Sequence, residues 1–355
     1  SISTDSSGKT HVAYVDMTNG NLKYAVKENN SWTTSVVETN SFSTVVQGLK
    51  YPSMEVDSNG VVHIVYFDVG NNVINYAKLE PNNASFSIET ILSESYYSQA
   101  SGYLSLALDS NNIPHISMTI IMMSGSSHQY KYASKHNGTW IDGTIDFCPT
   151  ACGHSYVDVD SNNRPHVTYF DYISKSMKHA INIGSVSSQN WQKSYVDNMS
   201  YVEHYEWAGS GGIVIDALDN VHICYSTQLP SINLKYATNK NGYWQNETVD
   251  EYGSVGWNVD CDINSNDEVQ IVYEDKSENS IKIAKKVGSN WETFGITNTQ
   301  WASYTSIDVD SNDNVSVAYL DNFEKDLHVV THSPNSGITV SNNLANHTTI
   351  IPDCV

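Results

Sequence analysis

Arginine is almost missing from this 355-residue chain: Arg164 is the single copy, and Lys plus Arg number 18 against 39 Asp plus Glu, a formal net charge of −21. A surface that acidic repels nucleic acid and anionic lipid, which excludes both as partners, and suits salty surroundings or retention of cations. No apolar run approaches the eighteen or more residues of a spanning helix, so no membrane insertion is expected. A glycine-rich phosphate loop and a Ser-His-Asp spacing are also lacking. Cysteine is scarce, at five copies. With no second Cys-x-x-Cys and no Cys–His cluster, no metal ligands are assigned and a zinc site is not expected. Cys148 and Cys152, in a short Cys-Pro-Thr-Ala-Cys loop, read as a local disulfide. Cys224 and Cys261, in strand-like segments, read as small buried thiols, and Cys354 is left over.

What is there is a repeat. Asp57-Ser-Asn-Gly-Val-Val-His63-Ile-Val-Tyr66-Phe-Asp68 has an acidic residue, a polar turn and alternating apolar residues, the pattern of a β-hairpin with a half-buried strand. Aligning on the histidine gives His11, His63, His115, His166 and His222, with Gln270 and Ser316 in the same slot, at spacings of 52, 52, 51, 56, 48 and 46. Each of the seven copies holds four strand signals within about fifty residues, the signature of a propeller blade. One blade cannot bury both faces, whereas seven arranged radially can. The expected fold is all-β, a seven-bladed β-propeller with four antiparallel strands per blade. It is expected as a single domain over 1–355, with blades near 1–38, 51–91, 103–146, 154–197, 210–250, 256–297 and 303–355. Thr348–Ile351 is a candidate to return and seal the ring. The numbering opens inside a repeat, which fits a chain whose leader has been removed. Seven Asn-x-Ser/Thr sequons, from Asn29 to Asn346, are compatible with secretion.

Followed by Leu22-Lys-Tyr24-Ala25 and Trp32 or their counterparts, this repeat resembles those of secreted seven-bladed propellers near the sialidase and BNR-repeat group. Ulvan lyases, which are polysaccharide lyases, use similar propellers. The resemblance covers essentially the whole chain and implies an extracellular or cell-surface protein. Sialidases hold a substrate carboxylate with three arginines; a chain with Arg164 alone cannot, and it also lacks the Trp ending of the Asp-box, so sialidase activity is excluded. Ulvan lyases similarly need a His/Tyr pair and a positive group to neutralise the uronate, a role left here to a lysine or a bound cation.

The repeated histidines are expected to tie neighbouring strands as core hydrogen-bonding groups. The tyrosines three places later, together with the fourth-strand Trp, are expected to pack between blades. Asp158-Val-Asp160-Ser-Asn162 and Asp308-Val-Asp310-Ser-Asn312 resemble the start of a calcium loop, but position twelve is Tyr169 or Tyr319 where a bidentate Glu is needed. Their aspartates are expected to bond their own turns. Calcium stays the one cofactor the sequence suggests, through these turns or through a ring of strand-end aspartates (Asp16, Asp68, Asp171, Asp275, Asp321) that would make one channel mouth negative.

Departures from the repeat point to function. From the histidine to the Tyr-Ala slot the distance is thirteen in most blades but seventeen in blade three, where a loop carries His128. The long inter-blade links precede blades two, three and five and emerge on the same face. That face is expected to hold Tyr96, Tyr97, Tyr103, Glu203, Tyr205 and Trp207 as ligand-binding residues. His128, His154, Tyr156, Tyr201 and His204 are the candidate catalytic groups. Three readings follow. The first is a propeller that binds a neutral glycan or a protein partner, with Tyr and Trp stacking on sugar rings. The second is a carbohydrate-active enzyme, foremost a lyase with a His/Tyr acid–base pair, for which a pair within about 3 Å is the mark. The third is an architectural cell-surface module.

Overall fold

The computed structural model describes residues 1–16, 18–29, 31–41, 48–93, 97–99, 103–122, 128–148, 152–198, 211–227, 232–297, 302–321, 326–333 and 337–339. They form seven antiparallel sheets, each with its four strands in chain order, and no helix. The first strands are Ile2–Thr4, Leu49–Val56, Leu104–Leu108, Ser155–Val159, Gly211–Ile215, Val255–Ile263 and Ala302–Val309. They pack on one another in sequence and line the central channel. A short extra strand, Tyr97–Gln99, pairs with Pro114–Met122 of blade three. Blade seven meets blade one through a shared core of Ile2, Val12, Ala25, Trp32, Ala318 and Val329. The segment Thr348–Ile351, expected to seal the ring, lies outside the described residues.

In blades one to five the repeated polar residues form one circuit each. His63 places Nδ1 2.5 Å from the Tyr76 hydroxyl and Nε2 3.4 Å from Asp57. His115 with Tyr132 and Asp109, and His222 with Tyr236 and Asp216, repeat the arrangement. In blade four, His179 takes the tyrosine's place, its Nε2 2.9 Å from His166 Nδ1. Burial depresses His11, His63, His166 and His222 below the usual histidine range. Oδ1 of the same aspartate accepts turn N–H groups, for Asp57 those of Asn59 and Val61 at 2.8 and 2.9 Å. Asp57, Asp160 and Asp310 thus bond their own turns, as expected, whereas Asp158 does not and bonds Val159 and blade five's Ile215 instead. Strand-end Asp16, Asp171 and Asp275 pair with Lys23, Lys178 and Lys282 and cap the following turn, so these three do not form a bare negative ring.

Between blades the second-strand tyrosines reach back to the acid that ends the preceding fourth strand: Tyr169 to Asp146 at 2.8 Å, Tyr225 to Asp197 at 2.9 Å, Tyr273 to Asp250 at 2.7 Å. Third-strand rings meet the next blade's Trp edge-on, as Tyr76 does Trp140 at 5.1 Å and 69°. Nearer the channel, a first-strand side chain of one blade accepts a backbone N–H of the next. Ser53 takes Leu106 N at 3.0 Å and Ser105 takes Val157 N at 3.1 Å. Ser306 takes Ile2 N at 3.4 Å, which closes the ring. Where a blade has no such acceptor, the next blade carries an aspartate that serves twice. After Ala107, Asp158 accepts its own strand's Val159 N at 2.7 Å and blade five's Ile215 N at 2.8 Å. After Gly212 and Val214, Asp260 and Asp262 do the same with Cys261 and Ile263, then Ile307 and Val309.

The Cys148–Cys152 disulfide is present as expected. Cys224 and Cys261 correct the expectation of free thiols: they form a disulfide joining blades five and six, with Cα atoms 6.4 Å apart. The two lie on adjacent strands of different blades, a juxtaposition that sequence separation does not reveal.

Candidate functional site at the channel mouth

The first strands set the site. Counting back four residues from the partner of the histidine slot gives Tyr51, Tyr103, His154, Asn258 and Tyr304, which therefore ring one end of the channel. In blades two, six and seven the strand bulges here, leaving two residues unmatched, and Tyr51, Asn258 and Tyr304 adopt left-handed backbone with φ of 55°, 48° and 54°. For tyrosine that conformation costs of order 1 kcal/mol or more and persists only where the surroundings impose it.

Three candidate residues come together. His154 Nδ1 lies 2.9 Å from the Tyr156 hydroxyl, inside the distance set for a His/Tyr pair, and its ring stacks on Tyr103 at 21°. Tyr103 in turn packs on Tyr51, centroids 5.1 Å apart. The segment carrying His154 is pinned by the Cys148–Cys152 disulfide and by Gly153, whose N–H donates to Tyr130 Oη at 2.7 Å. Tyr156 Oη accepts Gly211 N–H at 3.0 Å, so its own proton is directed to His154 Nδ1. His154 is then the Nε2–H tautomer, and that nitrogen is sealed from solvent with no hydrogen-bond partner among the described residues. Burial lowers His154 to about 3. A base that weak accepts a substrate proton poorly at neutral pH.

His128 begins the third strand of blade three, opposite Cys148. Tyr97 is placed only by its strand pairing with Met122. Tyr96, Tyr201, Glu203, His204, Tyr205 and Trp207 lie outside the described residues. Reading the sequence by insertion lengths missed Tyr51, Asn258 and Tyr304. A register count back from the histidine slot was the signal that finds them.

Below the mouth, Glu55, Asp158, Asp262 and Asp308 share one layer of the channel. Burial raises all four, Asp158 to about 7, and mutual repulsion adds to the shift at Glu55. Among the described residues no group of three or more His, Cys, Asp or Glu is spaced to hold a metal ion.

No family model and no curated protein matches the chain. Solved structures do. An ulvan lyase is similar over 99% of this chain and 95% of its own, with TM-score 0.66 and 12% identity. The α-L-arabinanase of Penicillium chrysogenum, complexed with arabinobiose, matches 81% and 94% at TM-score 0.55 and 12% identity. The fucose-specific lectin of Aleuria aurantia matches 84% and 94% at TM-score 0.53 and 11% identity. At such identities the likeness is one of fold.

Proposed function

We propose that this chain is an extracellular, single-domain propeller that binds a neutral glycan at the channel mouth without turning it over. The observation that carries the reading is the continuous aromatic arc of Tyr51, Tyr103 and His154, a stacking surface for sugar rings on a rigid strand frame. Proteins of this architecture that bind or cleave polysaccharides and fucosides support a glycan as ligand. Two disulfides fit an oxidising compartment. The His154–Tyr156 pair favours a second reading, a lyase, and the weak basicity of His154 stands against it.

Incubation with neutral and uronic-acid polysaccharides separates the two. Retention on a neutral polymer is expected, with no rise in absorbance from unsaturated sugar and a loss of about tenfold or more in Tyr103→Ala. Absorbance that grows with time and vanishes in His154→Ala establishes the lyase instead.

A further inference from the structure

Six blades place a residue without charge four positions after the histidine slot: Val15, Phe67, Thr119, Phe170, Ser226 and Leu320. Blade six places Glu274 there, 7% exposed. A carboxyl in a core position costs free energy unless something uses it. It does not join the channel layer or the inter-blade bonds. Its cross-strand partner is Trp257, and its Oε2 accepts the Asn258 side-chain N–H at 2.8 Å. Asn258 is itself one of the three left-handed mouth residues.

The neighbours complete a surface. The Thr305 hydroxyl donates to the Asn258 carbonyl, locking the bulge of blade seven onto that of blade six and so fixing Tyr304 beside it. Tyr304 is 69% exposed despite its strained backbone, so no packing of its ring accounts for the strain. Trp257 donates its indole N–H to Ser254 at 2.9 Å and is covered on one face by the Lys276 ammonium at 3.5 Å. Burial raises Glu274, while Lys276 and the Asn258 bond oppose the rise. A carboxyl and an amide side by side, on a bulge bonded to the one that carries an exposed aromatic ring, match the chemistry of a sugar: paired donors and acceptors for hydroxyls, and a flat apolar face for C–H groups.

We propose that the blade-six and blade-seven edge of the mouth is a second carbohydrate subsite, with Glu274 and Asn258 bonding hydroxyls and Tyr304 stacking on the ring. This rests on the glycan reading and deepens it. Tyr51 and Tyr304 hold the same register position in blades two and seven, so both arcs face one mouth and a ligand that reaches both is a chain of several sugar units rather than one terminal residue.

The test compares neutral hexasaccharides of the arabino-, galacto- and manno-series with their disaccharides, using Tyr304→Asn, Glu274→Gln and the double variant. Asparagine tolerates the left-handed backbone and glutamine keeps an oxygen for Asn258, so thermal melting should show all three folded. Each single variant should weaken the best hexasaccharide about tenfold and leave its disaccharide unchanged, while Tyr103→Ala weakens both. Unchanged hexasaccharide affinity in the double variant overturns the subsite and leaves the glycan reading standing. Equal losses for the two lengths also overturn it. Wild-type protein that holds none of the sugars overturns both.

Discussion

Two kinds of junction occur in the same ring. Between blades two and three, and between three and four, a serine hydroxyl reaches over to a backbone N–H. Between blades five and six the matching position is Gly212, and the Cys224–Cys261 disulfide spans the gap. The two devices compete for the same space. A Cβ on Gly212 would sit 3.0 Å from Cys261 Sγ, 3.1 Å from its backbone N and 3.2 Å from Asp260 Oδ1. A side chain able to accept the hydrogen bond would crowd the covalent link, which would have to give by a few tenths of an ångström. The orphaned N–H groups fall instead to Asp260 and Asp262 of their own strand. Each junction is therefore satisfied, but one depends on oxidation and the others do not.

Breaking the covalent junction should give the largest effect. Cys224→Ser with Cys261→Ser removes a link across 37 residues of sequence and should cost about 3–4 kcal/mol in denaturant unfolding. Reducing agent should destabilise wild type more than this variant, which keeps only the Cys148–Cys152 disulfide. Next, Gly212→Ser should cost about 1–3 kcal/mol with the disulfide intact, from crowding, and much less in the Cys224→Ser/Cys261→Ser background. Smallest is Asp262→Asn, which retains one acceptor oxygen for two N–H groups and should cost about 1–2 kcal/mol near pH 5. Burial and repulsion raise Asp262 in the folded state, so the fold binds its proton more tightly than the unfolded chain does. Wild-type stability from this group is lost as pH rises from the ordinary aspartate range towards the raised value. Asparagine does not titrate, so the cost of the substitution should shrink between about pH 4 and pH 8.

The architecture was legible because it repeats. The histidine slot fixed seven blades, and the same slot proved to be the hub of the Asp–His–Tyr circuit in blades one, two, three and five. The Cys224–Cys261 bond was not legible, since its partners meet only once the ring closes. The mouth was half legible. Tyr103, His154 and Tyr156 lay next to unusual links, and the structure brings these three together. Tyr51 and Tyr304 hid inside strands, because a two-residue bulge leaves the strand pattern on either side intact. Glu274 was hidden differently: at one position in one blade, a charge replaces a neutral residue without altering any length.

The buried circuit also governs how the molecule answers to acid. Of its thirteen histidines, His11, His63, His166 and His222 are held neutral by burial below their usual range, and His154 and His179 down to about 3. On mild acidification those six take up protons late. These six therefore add little buffering there, and little positive charge with which to draw in an anionic polymer.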